Sequence, residues 1–168
     1  MAATIPSNGL TIDNGIPFPA TPSAQTDANT LDEYEEGTFT PTLSSSGASF
    51  TYYAQKGIYT KIGNKVICSV QIITNDIASG TSGNVVTIEG LPFTIINVSA
   101  RAVESGAIGF ALNWANATTS QPHFALCSND STQGTIFGSD GGQLTYGDMA
   151  DGTTKNYIYV TYSYTAAT

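Results

Sequence analysis

Ionised side chains are scarce in this 168-residue chain. Five Lys and Arg and 13 Asp and Glu make up 11% of it, against ~25% in an ordinary soluble domain. Five bases cannot lay a basic footprint on nucleic acid, and a net charge of -8 repels phosphate. Long apolar runs are missing, so no segment can insert across a membrane. Few Leu, Lys and Glu beside 17 Gly exclude a coiled coil or helical bundle. There are two cysteines, Cys68 and Cys127, too far apart for a C-x-x-C zinc or thioredoxin motif. Both read as small buried hydrophobes, and spacing leaves a bridge between them open. The N-terminus has neither a positive n-region nor an apolar h-region, so it is no signal peptide. The sequons at Asn97 and Asn116 then read as chance matches in a Thr- and Asn-rich chain.

What is present is uncharged. Hydrophobic residues reach 40%, and the polarity comes from Ser, Thr, Asn, Gln and Gly. Plentiful Val, Ile, Phe and Tyr argue against disorder of the whole chain. Residues 1–36 differ from the rest. Pro6, Pro17, Pro19 and Pro22 fix φ and push their neighbours toward extended backbone. Ile5, Leu10, Ile12, Ile16 and Phe18 give this stretch apolar weight but no core of its own. An extended arm that lies on another surface is expected. Its end, Asp27 to Gly37, holds five acids and no base. Asn29 or Thr30 can cap a short acidic helix or turn that Gly37 stops. A calcium loop fails on spacing: counted from Asp27, Leu31 stands at the fifth position and Asp32 where the turn glycine belongs.

From Gly37 to the end the pattern is β. Val66, Cys68, Val70 and Ile72 share one face of a strand, and Ile67, Ser69, Gln71 and Ile73 the other. Gly63-Asn64 before them reads as a tight hairpin turn. Phe50–Tyr53 and Gly57–Ile62 read as separate strands. The closing run Asn156–Thr165 places Tyr157 and Tyr159 on one side and Tyr162 and Tyr164 on the other, which suggests a bulge near Val160 or Thr161. About ten short strands predict an all-β fold, an antiparallel β-sandwich or barrel-like domain over residues 37–168.

Chemistry is thin. The single histidine, His123, would have to serve any Ser-His-Asp or Cys-His site. Cys127, on the same face of a regular strand, lies about 13 Å away. The acids outside the 27–36 run sit mostly in turn clusters, and no phosphate-cradling glycine pattern occurs. No catalytic residue, metal ligand or cofactor is assigned. Binding is better supplied, because aromatic faces stack on sugar rings while Asn and Asp bond hydroxyls. Trp114, Asn116, His123, Asn129 and Asp130 are the candidate binding residues; for Trp114 a core or intersubunit anchor is the stronger reading.

Three phrases carry a family likeness. Leu31-Asp32-Glu33-Tyr34-Glu35-Glu36-Gly37-Thr38-Phe39-Thr40-Pro41 resembles the L-D-[DE]-Y-E-E-G-T-[FW]-T-P signature of the C-terminal β domains of tailed-bacteriophage tail fibres and related virion projections. Gly57-Ile58-Tyr59-Thr60-Lys61-Ile62-Gly63-Asn64-Lys65-Val66 looks like the strand-turn-strand that follows it, and Ile88-Glu89-Gly90-Leu91-Pro92-Phe93 like a third family segment. The likeness runs from about Gly15 to Val98. It implies a non-enzymatic structural domain, a homotrimer, on the exterior of a virion, made in the host cytoplasm. Its partners would be its own copies, other virion proteins through residues 1–36, and a host-surface glycan. Family members usually carry a long anchor and shaft, so this chain is expected to be either a fragment or a short protein attached through its arm. The second option opens a capsid-decoration role. A polysaccharide-degrading enzyme is the remaining reading. At -8 per chain, closely packed copies need a mostly neutral interface, with the acids displaced from it.

Overall fold

The computed structural model describes residues 33–97, 104–114 and 121–167. Among them nine strands form one antiparallel sheet: β1 (Tyr34–Phe39), β2 (Thr42–Ser44), β3 (Ser49–Ile62), β4 (Lys65–Ala78), β5 (Thr87–Glu89), β6 (Ser105–Leu112), β7 (Pro122–Cys127), β8 (Gly134–Gly138) and β9 (Tyr157–Thr165). The spatial order is β1-β3-β4-β9-β6-β7-β8-β5-β2. A single 3₁₀ turn, Tyr146–Asp148, interrupts the pattern. The all-β expectation holds, in the barrel-like form. No helix among the described residues is long and apolar enough to cross a membrane.

The spine is the β3–β4 hairpin. Its two-residue turn has Gly63 at φ 56° followed by Asn64, the primed-turn geometry that matches the strands' right-handed twist. Alternation along β4 is as expected from Val66 to Ile72: Val66, Cys68, Val70 and Ile72 are buried, while Ile67 and Ser69 face out and Gln71 is half-buried; Ile73, on the same side as Ile67, is buried as well. β9 continues the sheet with unbroken register, Lys65 opposite Thr165 through Ile73 opposite Tyr157. The expected bulge in β9 is therefore absent. Simple parity explains the tyrosines, since 157 and 159 point out and 162 and 164 point in. The irregularity lies in the neighbouring strand β6, between Ile108 and Phe110.

Two boundaries also differ from expectation. Phe50–Tyr53 and Gly57–Ile62 belong to one 14-residue strand. Residues 34–36, expected in an acidic helix or turn of the arm, are strand β1 paired with β3. Local capping signals yield here to a long-range partner whose own strand is strongly β-forming. The rest of the arm, residues 1–32, lies outside the described residues.

The sheet curls until its two ends meet. β1 and β2 are its outermost strands and follow one another through Thr40-Pro41. The seam is closed by side chains. The Leu43 N–H donates to the Tyr52 hydroxyl at 2.8 Å, that hydroxyl donates to the Leu43 carbonyl, and Gln55 Nε2 donates to the Pro41 carbonyl at 2.9 Å. β3 thus supplies both a ladder to β1 and side-chain bonds to β2. This satisfies edge groups that would otherwise template aggregation.

Val66, Val70, Ile72, Ile88, Ile136, Ile158 and Tyr162 are among the side chains that fill the interior. Cys68 and Cys127 are free and buried there. Burial pushes both thiols up to about 12, with the Cys127 thiol adding to the effect on Cys68 and Glu104 to that on Cys127. The native state thus holds its thiol protons at pH values where the unfolded chain, with a reference near 9.0, loses them. The thiols' contribution to stability should be constant below about pH 9 and fall above it, by about 1.4 kcal/mol per pH unit for each thiol. Urea midpoints measured from pH 7 to 10 check this, and removing either thiol should make the slope above pH 9 shallower, the remainder coming from the other thiol and from tyrosines that are also raised.

A buried polar knot holds the last loop on the barrel. Asn156 is 1% exposed. Its Nδ2 donates to the carbonyls of Ala150 (2.8 Å) and Thr154 (3.3 Å) and to Thr74 Oγ1 (3.3 Å), and its Oδ1 accepts from the Ala150 N–H. The Asn156 N–H also donates to Thr74 Oγ1 at 2.8 Å. Asn156→Ala strands several buried groups at once and is expected to cost about 2 kcal/mol, read as a shift in urea midpoint.

Candidate functional sites

The three family-like phrases converge on one cluster around Tyr59. Gly37 pairs with Tyr59 across β1 and β3, and Phe39 pairs with Gly57. Each glycine lies beneath the opposite ring: a Cβ on Gly37 would stand 2.6 Å from the Tyr59 hydroxyl, and one on Gly57 2.5 Å from Phe39 Cε1. The Tyr59 hydroxyl donates to Glu35, which pushes the phenol up to about 12. Lys61 pairs with Glu33 and sits 5.6 Å from the Phe93 ring centroid. Phe93 meets Tyr59 edge-on at 5.2 Å, and its N–H donates to the Tyr164 hydroxyl at 3.3 Å. The acidic run, the Gly-Ile-Tyr strand and the Leu-Pro-Phe bend therefore form one structural clamp. They fasten β1 to the barrel through reciprocal aromatic–glycine pairs.

The binding candidates are scattered. Trp114 is 1% exposed, its indole N–H donates to the Tyr157 carbonyl at 3.0 Å, and it bridges to Met149. It is an anchor of the core, and a ring so placed has no face for a sugar. His123 is exposed at the start of β7, its ring 6.2 Å from that of Phe124. A register shift between Pro122 and Phe124 turns His123 outward while Cys127 points in. The expectation that they share a strand face is thus overturned. Asn129 and Asp130 occupy the turn at the opposite end of β7, about 20 Å of extended chain from His123. Asp130 has φ 55°, its N–H donates to the Ile95 carbonyl at 3.1 Å, and its carboxylate accepts from Asn97. That turn is tied down by the segment around Ile95. Asn116 lies outside the described residues.

Carboxylates are likewise engaged in holding loops. Glu104 pairs with Lys65 at 3.3 Å and accepts from Thr165 Oγ1, and Glu89 accepts from Gln133. Asp148 caps the 3₁₀ turn through Thr145, and Asp151 accepts from the Tyr146 hydroxyl. Among the described residues no three of His, Cys, Asp and Glu gather in a way that could hold a metal ion.

One surface was missed by reasoning from the sequence. The outward side of β3, β4, β9, β6 and β7 is uncharged over its centre. Cross-strand register lines up Ile58, Ser69, Thr161, Ala107 and Phe124 in one row, and Thr60, Ile67, Ser163, Ser105 and Leu126 in the next. Ile58 is 60% exposed and Ile67 53%. Where β6 bulges at Gly109, a groove of about 360 Å³ opens, lined by Ile58, Ser69, Gln71, Tyr159 and Thr161, with Lys56 also on it. The alternation of β4 and β9 in the sequence was the available signal. It marked which side chains share a face, and gave no sign that the face would stay uncovered.

No family model matches the chain, and no curated protein matches it in sequence. Among solved structures it is similar to the Dettilon tailspike protein (gp208), with TM-score 0.60 and 22% identity over 77% of this chain. The chain spans 23% of that protein's length. The barrel described above is thus a fold shared with a segment of a tailspike protein.

Proposed function

We propose that this chain is a non-enzymatic structural protein of a tailed-phage virion, a trimeric surface projection of tail-fibre-tip type that presents its loops to the host. The observation that carries this is the fold shared with part of a tailspike. It is supported by the motif clamp around Tyr59, which accounts for the family-like phrases as scaffold. Carboxylates committed to loop and strand contacts favour a structural role over glycoside hydrolysis, which needs two free acids facing one bond. The segment ahead of β1 attaches the domain to the particle, and host-surface glycan is the class of target for the exposed loops.

Antibody labelling of intact particles in the electron microscope tests the reading. Label on tail projections is expected. Label on the head would overturn it in favour of capsid decoration, and label on neither would remove the chain from the virion exterior. Turnover of host polysaccharide by the purified protein would overturn the non-enzymatic part.

A further inference from the structure

We infer that the uncharged outward face of β3, β4, β9, β6 and β7 is the surface through which copies of this chain bind one another. The inference deepens the proposed self-association and rests on it.

Three observations select a second copy as the occupant. The first is charge. Identical chains of net charge -8 approach most easily where neither carries an acid. Across the two central rows every residue is neutral; Lys65 and Glu104 lie at the margin, and Lys56, a cation, borders the groove in the adjoining row. That is a dry centre with a polar rim. The second is shape. Ser69, Thr161, Ser163, Ser105 and Ala107 are small, so two such sheets can come close. Ile58 and Ile67 stand up beside the groove that the Gly109 bulge opens, and an apolar side chain of the facing copy can enter it. The third is area. Five strands about 4.8 Å apart and three rows about 6.8 Å apart give a block of roughly 500 Å² in plan, about 60% of one partner's ~800 Å² share of a standard interface, which puts the contact in the small-interface class. Ile58, Ile67, Phe110 and Leu126 are large apolar side chains left exposed on this one face.

Sedimentation velocity on the full chain tests this. Wild type is expected to be an oligomer at micromolar concentration. Thr161→Lys and Ser69→Glu place charge at exposed positions and are expected to give folded monomers, with unchanged far-UV dichroism. Ile58→Ala with Ile67→Ala removes only apolar contact and should raise the dissociation constant roughly ten- to hundredfold. It serves where a charged variant misfolds. Ser139→Arg, in an exposed turn away from the face, should leave assembly intact. Oligomers that survive all the face variants would overturn the placement and leave self-association standing. A wild-type monomer would overturn both.

Discussion

Replacing Trp114 by alanine is expected to destabilise the protein by about 3–5 kcal/mol. The side chain is 1% exposed and belongs to the core beside Met149 and Ile158. Truncation opens a cavity the size of an indole, and the strands around it relax only in part. It also leaves the Tyr157 carbonyl without its indole donor. A loss of this size is a large part of the 5–15 kcal/mol that separates a typical domain from its unfolded state. Chemical denaturation should show the midpoint collapsing, and the variant should be aggregation-prone near 37 °C. A sugar-stacking role predicts the opposite pattern, in which stability is kept and glycan retention is lost. Denaturation and retention measured on the same variant separate the two.

The second large effect centres on Tyr162. Its ring is wholly buried between Gly106 and Gly134, and its hydroxyl has no hydrogen-bond partner among the described residues. Burial, with the nearby thiols of Cys127 and Cys68, holds the phenol far above its ordinary range, so it stays neutral. A Cβ on Gly134 would run into this hydroxyl, well inside van der Waals contact. Gly134→Ala should therefore cost about 2–3 kcal/mol by overpacking. Tyr162→Phe alone should stabilise by about 1 kcal/mol, because it removes a buried polar group that bonds nothing. Together the two changes should recover most of the loss, a coupling of about 1–2 kcal/mol. At roughly 3 °C per kcal/mol for a domain of this length, thermal unfolding of the four proteins resolves the cycle. Strict additivity would show that Gly134 is required for some other reason.

Much of the fold was written in local sequence. Period-two alternation in Val66–Ile73 and a glycine-led two-residue turn were enough to specify the hairpin turn and which residues of β4 share a face, because both depend on neighbours along the chain. The tyrosines of β9 needed only parity. Elsewhere the local signal misled. Acids and a terminal glycine at 32–37 look like a short helix, yet Gly37 is there to receive the Tyr59 ring from 22 residues away. Gln55-Lys56-Gly57 looks like a break, yet Gly57 makes room for Phe39. In both places glycine answers to a ring on another strand, and composition cannot distinguish that from a turn.

The candidate site was less legible, for the same reason. Trp114 and the Asn129-Asp130 turn have the residue types of a sugar site, and their burial or tethering depends on partners far along the chain: Tyr157 for the tryptophan, Ile95 and Asn97 for the turn.

By itself, then, the sequence determined an all-β protein poor in charge, with its hairpin turn and the sets of residues that share a strand face, since side-chain direction in a strand follows position alone. Only the tertiary structure decided how the sheet closes at Tyr52, which aromatic residues are structural, and that Ile58 and Ile67 stay exposed on a neutral surface. Those outcomes depend on which strands become neighbours, and that is a property of the whole chain.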